Sequence, residues 1–165
     1  RLDYKNGGSG SLDLHDNGCS DFGANDLGNP NRTAWEKATR DYLAANPQTN
    51  VVVWSWCGQV SSASEHDIHT YLNLMNMLEV DFPNVRFVYM TGHVIEGARG
   101  NNFDRNEQIR AHCRENNKIL YDFADIECYN PDGVYFGDKW CTDGCLYDSN
   151  GDGNPWNDDA NWAIE

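Results

Sequence analysis

The clearest chemical signal in the chain is Asp148-Ser149-Asn150-Gly151-Asp152-Gly153-Asn154, which sets short oxygen-bearing side chains at alternate positions. It fits the D-x-[DN]-x-[DN]-G pattern of an EF-hand-type loop. A hard cation such as Ca²⁺ takes six to eight oxygens, and a Gly in sixth place allows the sharp turn. Asp148, Asn150 and Asp152 are the expected side-chain ligands, Asn154 offers its carbonyl, and Asp158 or Asp159 falls near the closing position, with Asp159 preferred. Pro155 and the missing closing Glu favour a structural loop over a helix-loop-helix sensor. The plain alternative is an acidic turn without metal.

A second set of reactive groups stands where apolar runs end. Cys57-Gly58-Gln59 follows one run, Thr91-Gly92-His93 a second, and Asp122 with Asp125 a third. Ligands of open parallel sheets sit outside the carboxyl ends of the strands. Gln59 is expected to donate to an oxyanion, with Gly58 beside it. His93 is the expected base, oriented by Asp122 or Asp125. Each has a structural counterpart: a hydrogen-bonded loop histidine, or a carboxylate that caps the next turn. Ser61, Ser62 and Ser64 share one loop, yet no G-x-S-x-G turn surrounds them.

Cysteines 19, 57, 113, 128, 141 and 145 form no CxxC pair, which disfavours structural zinc. Their even number fits three disulfides in an oxidising compartment. Cys141 and Cys145 are close enough to bridge locally, and the connectivity of Cys19, Cys57, Cys113 and Cys128 stays open. In an exported chain Cys57 is more often a disulfide partner than a nucleophile. The triplet Asn31-Arg32-Thr33 is an N-glycosylation sequon, with Asn31 as acceptor.

Those residues need a frame. The chain has 165 residues, enough for one domain with a single core. Residues 1–31 are rich in Gly, Asn, Asp and Ser and read as a loop-rich arm. Residues 32–126 read as an α/β core, and 127–165 as an irregular acidic segment held by disulfides and calcium. Thr33 and Glu36 predict a capping box, followed by Trp35, Ala38, Tyr42 and Ala45 at helical spacing. The run Val51-Val52-Val53-Trp54-Ser55-Trp56 predicts a strand covered on both faces. Ser64 with Asp67 opens a second helix striped by Ile68, Leu72, Met75 and Leu78, and residues 85–90 predict a second strand. Asp104 with Glu107 predicts the start of a third helix, and residues 118–122 a third strand. Helices alternating with strands predict an α/β fold, a short parallel sheet with helices on its faces.

The net charge of −14 excludes nucleic acid as a natural partner, since phosphate binding rests on Lys and Arg. No apolar run is long enough to span a membrane. The chain opens at Arg1 with neither an initiator Met nor a signal-type segment, so a processed or partial product is expected. Acidity and cysteine content point outside the cell.

VVVWSWCGQV, FPNVRFVYMTGH, NEQIRAHCRENNKILYDFADIECYNPDG and the closing NWAIE resemble the SGNH/GDSL hydrolase superfamily, in a secreted bacterial branch, over residues 48–165. The resemblance implies a three-layer, flavodoxin-like α/β/α sandwich, here incomplete, and ester hydrolysis on acylated carbohydrate. By position, Gly58 and Gln59 fall where the superfamily carries its Gly-x-Asn-Asp block. Gly23-Ala24-Asn25-Asp26 spells that block but precedes the wrong element. The first-block Ser and the closing Asp-x-x-His are missing, so the likeness is to the scaffold. Either the chain is the middle of a longer hydrolase, or the scaffold serves as a non-catalytic structural, adhesive or glycan-binding module that allows self-association. A thiol enzyme using Cys57 is a third expectation.

Overall fold

The computed structural model describes residues 18–164 in full and, before them, the backbone of residues 2–4 and 12–14. β1 (Leu2–Tyr4) pairs in parallel with β2 (Leu12–Leu14). The rest alternates: α1 (Ala34–Ala45), β3 (Val51–Val53), α2 (Glu65–Asp81), β4 (Arg86–Met90), α3 (Gly100–Glu115), β5 (Ile119–Tyr121) and the single turn α4 (Phe123–Ile126). β3, β4 and β5 lie side by side in that order, all parallel, with Val53 opposite Val88 and Met90 opposite Tyr121. The protein is thus mixed α/β with a three-stranded parallel sheet, as the alternation of patterns predicts. Among the described residues no helix is long and apolar enough to cross a membrane.

The apolar stripes dictate how these elements stack. Ile68, Tyr71, Leu72, Met75 and Leu78 recur at three- and four-residue steps and bury one face of α2. They share a core with Trp35, Ala38 and Leu43 of α1, Ile109 and Cys113 of α3, and Val52, Phe87, Tyr89 and Leu120 of the sheet. Aromatic rings tie it together: Tyr71 meets Trp35, Trp56 and Tyr89 edge-on, with centroids 5.7, 5.2 and 6.1 Å apart. The Trp54 Nε1–H donates to Thr39 Oγ1 at 2.7 Å, so this buried indole is satisfied.

Side chains alternate across a strand, so Val51, Val53, Val88, Ile119 and Tyr121 share the opposite face. Val53 is 54% exposed and Ile119 52%. This corrects the expectation of a strand buried on both sides: the described helices cover one face of the sheet. The inward set Val52, Trp54, Trp56 alternates with the outward set Val51, Val53, Ser55, Cys57, whose polar members already mark an open side.

Two helix starts also differ from expectation. Asn31 caps α1, its Oδ1 accepting the N–H groups of Thr33 and Ala34 at 3.0 and 2.9 Å, while the Thr33 side chain makes no capping bond and Glu36 pairs with Arg40. α3 begins four residues before Asp104, at Gly100, whose φ of +72° suits glycine. At α2 the expected box is present: Ser64 Oγ accepts from Asp67 N, and Asp67 Oδ2 accepts from Ser64 N at 2.8 Å.

The acidic C-terminal segment has a small core of its own, in which Val94, Cys128, Phe136, Cys141, Tyr147 and Trp162 meet. Val94 directly follows the Thr91-Gly92-His93 turn, so this core folds the C-terminal segment onto the end of β4. Asp143 N donates to Val94 O at 3.0 Å, and Trp162 Nε1 to Thr142 O at 3.0 Å.

Candidate functional site at the strand ends

Parallel strands bring their carboxyl ends to one rim, and the rim here carries His93. Asn106 of α3, a buried polar residue, holds the turn before it: its Oδ1 accepts the Gly92 N–H at 2.8 Å, and its Nδ2 donates to Gly92 O at 3.3 Å. One amide thereby satisfies both backbone polar groups of a buried residue, as a neighbouring strand would. With Gly92 fixed, His93 projects half-buried between the 3-10 turn Gly58–Ser62 and the C-terminal segment.

His93 Nδ1 lies 2.8 Å from Asp143 Oδ2, the oxygen standing off the ring's N–H direction, so the contact is a close polar approach more than an aligned hydrogen bond. The opposite nitrogen, Nε2, faces Gly58, where a Cβ would stand 3.9 Å away. Glu127 completes the surroundings. Its Oε2 accepts the Val94 N–H at 2.8 Å, and burial pushes its carboxyl above the ordinary value of 4.5, against that bond and the nearby His93. A histidine with one nitrogen on a carboxylate and the other open toward a glycine turn has the form of a general base.

The other residues expected here are placed differently. Gln59 is spent on structure: its Oε1 accepts the Cys57 N–H at 2.8 Å and its Nε2 donates to Asp26 Oδ1 at 3.1 Å. Asp26, from the Gly23-Ala24-Asn25-Asp26 stretch, therefore does reach the end of β3, as a partner of Gln59. Asp122 takes a two-pronged bond from Arg110 Nε and Nη2 at 2.7 and 2.8 Å and a further bond from Thr91 Oγ1 at 3.1 Å. Burial works against the Arg110 charge, yet Asp122 and Glu107 hold its pKa above the ordinary value. Asp122 also caps α4, its Oδ1 accepting the Asp125 N–H at 3.3 Å. Asp143, not Asp122 or Asp125, is the carboxylate at His93. Ser61 and Ser62 turn their hydroxyls back to the carbonyls of Gly58 and Gln59. A cavity of about 440 Å³ lies between α3 and the end of β5, lined by Asn102, Arg110, Asp122, Cys128 and Tyr135 among others; His93 and Gly58 are not part of its wall.

The Asp148 loop closes on itself. Asp148 accepts from the N–H groups of Gly151 and Gly153 at 2.7 and 2.9 Å, and Gly151 and Gly153 take φ of +79° and +86°. Asp158 reaches across to Ser149 N at 2.6 Å, whereas Asp159 sits exposed in a left-handed conformation with no side-chain hydrogen bond. Asp158, rather than Asp159, thus closes the loop by hydrogen bonding. Asn154 uses its side chain to cap the turn Pro155–Asn157. The Asn150 Nδ2 lies between two carboxylates, 2.6 Å from Asp158 Oδ1 and 3.4 Å from Asp152 Oδ2. Among the described residues no group of three or more His, Cys, Asp or Glu is gathered as a metal site.

No pair of the six cysteines is at disulfide distance. The sulfur that Cys141 touches belongs to Cys128 rather than Cys145, at 3.4 Å. Cys19 and Cys113 pack in or against the main core, where burial raises both thiols to about 11, and Cys57 is exposed. Asn31 is exposed.

The sequence reading missed Asp143 and Asn106. Asp143 has no signal of its own, because only the C-terminal fold carries it to His93. Asn106 had one: α3 is mostly polar, and Asn102 and Asn106 continue the buried stripe of Ile109 and Cys113. Comparison with protein-family models, with curated proteins and with solved structures gave no match to this chain.

Proposed function

We propose that this is an exported, calcium-stabilised SGNH-hydrolase-like domain that hydrolyses acyl esters of carbohydrate, with His93 as general base and Asp143 as its orienting carboxylate. The observation that carries the reading is the His93–Asp143 contact at the strand ends with Nε2 turned toward Gly58. In this reading Nε2 takes the proton of the attacking O–H, and the Asp143 charge stabilises the imidazolium that forms. Gly58 keeps the approach to Nε2 clear. The net charge of −14 supports export.

The calcium part rests on donor chemistry. Asp148, Asp152 and Asp158 are hard oxygen donors around Asn150, whose amide nitrogen now bridges two of them. A Ca²⁺ ion would take over that bridging role, with Asn150 turned to offer Oδ1. The ion would supply rigidity to a segment that has a small core.

The test is turnover of p-nitrophenyl acetate by the intact chain, with and without His93→Ala. The reading expects turnover that the substitution abolishes while the far-ultraviolet spectrum is retained. A second reading, a non-catalytic extracellular module that self-associates or binds glycan, is favoured by the open sheet face of Val51, Val53, Ile119 and Tyr121. Folded protein without turnover, sedimenting as a concentration-dependent oligomer, would replace the first reading by the second.

A further inference from the structure

Away from His93, two nucleophilic groups already touch. Cys128 follows α4 and Cys141 opens the segment that leads to Asp143; both are buried, at 6% and 0% exposure, and their sulfurs lie 3.4 Å apart. Their backbones are held independently, since Cys128 O accepts Phe136 N at 2.7 Å and Cys141 O accepts Gly97 N at 2.8 Å. We propose that Cys128 and Cys141 are a redox pair, closing to a disulfide on oxidation and so clasping residues 141–147 to the end of α4.

A disulfide needs sulfurs about 2.05 Å apart, so side-chain rotation has to close roughly 1.4 Å over a fixed backbone. The reaction with a small organic disulfide balances as two exchanges. The Cys128 thiolate attacks one sulfur of the reagent and expels its first thiolate. The Cys141 thiolate then attacks Cys128 Sγ in the mixed disulfide and expels the second. Two protein thiols lose two electrons and two protons, and the reagent leaves as two thiols. Cys128 lines the cavity beside Asp122, which gives the reagent its route to the first sulfur. The hydrogen bond from Cys141 favours the thiolate at Cys128 and keeps Cys141 the protonated partner.

The rival pairing is weaker. Cys145 stands in a left-handed conformation, with its backbone engaged by Thr142 and Trp162, and its sulfur makes no hydrogen bond to Cys141. The pairing is independent of the hydrolase reading.

The folded, reduced chain is treated with oxidised 2-mercaptoethanol, its free thiols are alkylated, and its peptides are mapped by mass spectrometry. The expected product joins the Cys128 and Cys141 peptides, forms equally in Cys145→Ser, and raises the melting temperature until reductant is added. In Cys128→Ser, Cys141 should instead be recovered alkylated. Should that variant fail to fold, the wild-type map and Cys145→Ser decide the matter. Recovery of both Cys128 and Cys141 alkylated from the oxidised folded chain, or of Cys141 joined to Cys145, would overturn the proposal.

Discussion

Replacing Asn106 by Leu, a side chain of similar size, probes how the strand-end turn is held. The amide makes two bonds to the backbone N–H and C=O of buried Gly92, at 2.8 and 3.3 Å, and takes part in a third contact with Asn102 Oδ1 at 3.3 Å. Leu removes these partners without opening a large cavity, so the cost is dominated by stranding one N–H and one carbonyl. Each unsatisfied buried group costs about 1–3 kcal/mol. The longer bond to Gly92 O is the weaker, and a total of roughly 2–4 kcal/mol follows. With a urea slope of about 2 kcal/mol per molar, the unfolding midpoint should fall by roughly 1–2 M at unchanged slope. Equilibrium urea unfolding followed by tryptophan fluorescence measures it. A loss well under about 1 kcal/mol would show that Gly92 is not held by Asn106, and the argument for how His93 is positioned would fall with it.

Asp67 accepts the backbone N–H and the hydroxyl of Ser64, with Arg32 adding to them, and its carboxyl lies below the ordinary value of 3.8. A depressed carboxyl stabilises the fold above 3.8 and loses that contribution as pH falls through its folded value. Asp67→Asn should cost about 1 kcal/mol near neutrality, and thermal melts should show the gap to wild type closing in acid. If calcium binds the Asp148 loop, saturating Ca²⁺ at about 100 times Kd adds about 2.7 kcal/mol. The melting temperature of EGTA-stripped protein should then rise by roughly 5–10 °C, and Asp158→Asn should abolish the rise. The one-sided sheet predicts that Val53→Thr changes stability by about 0.5 kcal/mol or less, while Phe87→Ala on the covered face costs about 3–5 kcal/mol; chemical unfolding of both variants checks this.

What the sequence revealed follows the range of the forces involved. The α2 helix was legible to its caps, because Ser64, Asp67 and the apolar stripe act within a few residues. The parallel order was legible because alternating helices and strands leave few other ways to bury their faces. The open sheet face was misread because a run of valines looks the same whether one side or both are covered, although Ser55 and Cys57 on the outward positions carried the answer. The place of His93 and Gly58 after the strands was legible from where the apolar runs end. Gln59 and Asp122 stand there by the same rule, but their hydrogen-bond partners Asp26 and Arg110, 33 and 12 residues away, were not legible. Asp143 reaches His93 only through the packing of Val94, Phe136 and Trp162, which no local pattern encodes.

The sharpest test sets the two carboxylates against each other. Asp143→Asn and Asp122→Asn are compared for p-nitrophenyl acetate turnover per folded molecule and for stability. Asp143→Asn should lower kcat by about tenfold or more at little cost in stability, since Asp143 is half exposed and, in the proposed reading, orients the base. Asp122→Asn should cost roughly 2 kcal/mol through Arg110 and leave kcat of the folded fraction unchanged. The opposite pattern, with turnover following Asp122 and indifferent to Asp143, would contradict the assignment of His93 and Asp143 as one working pair.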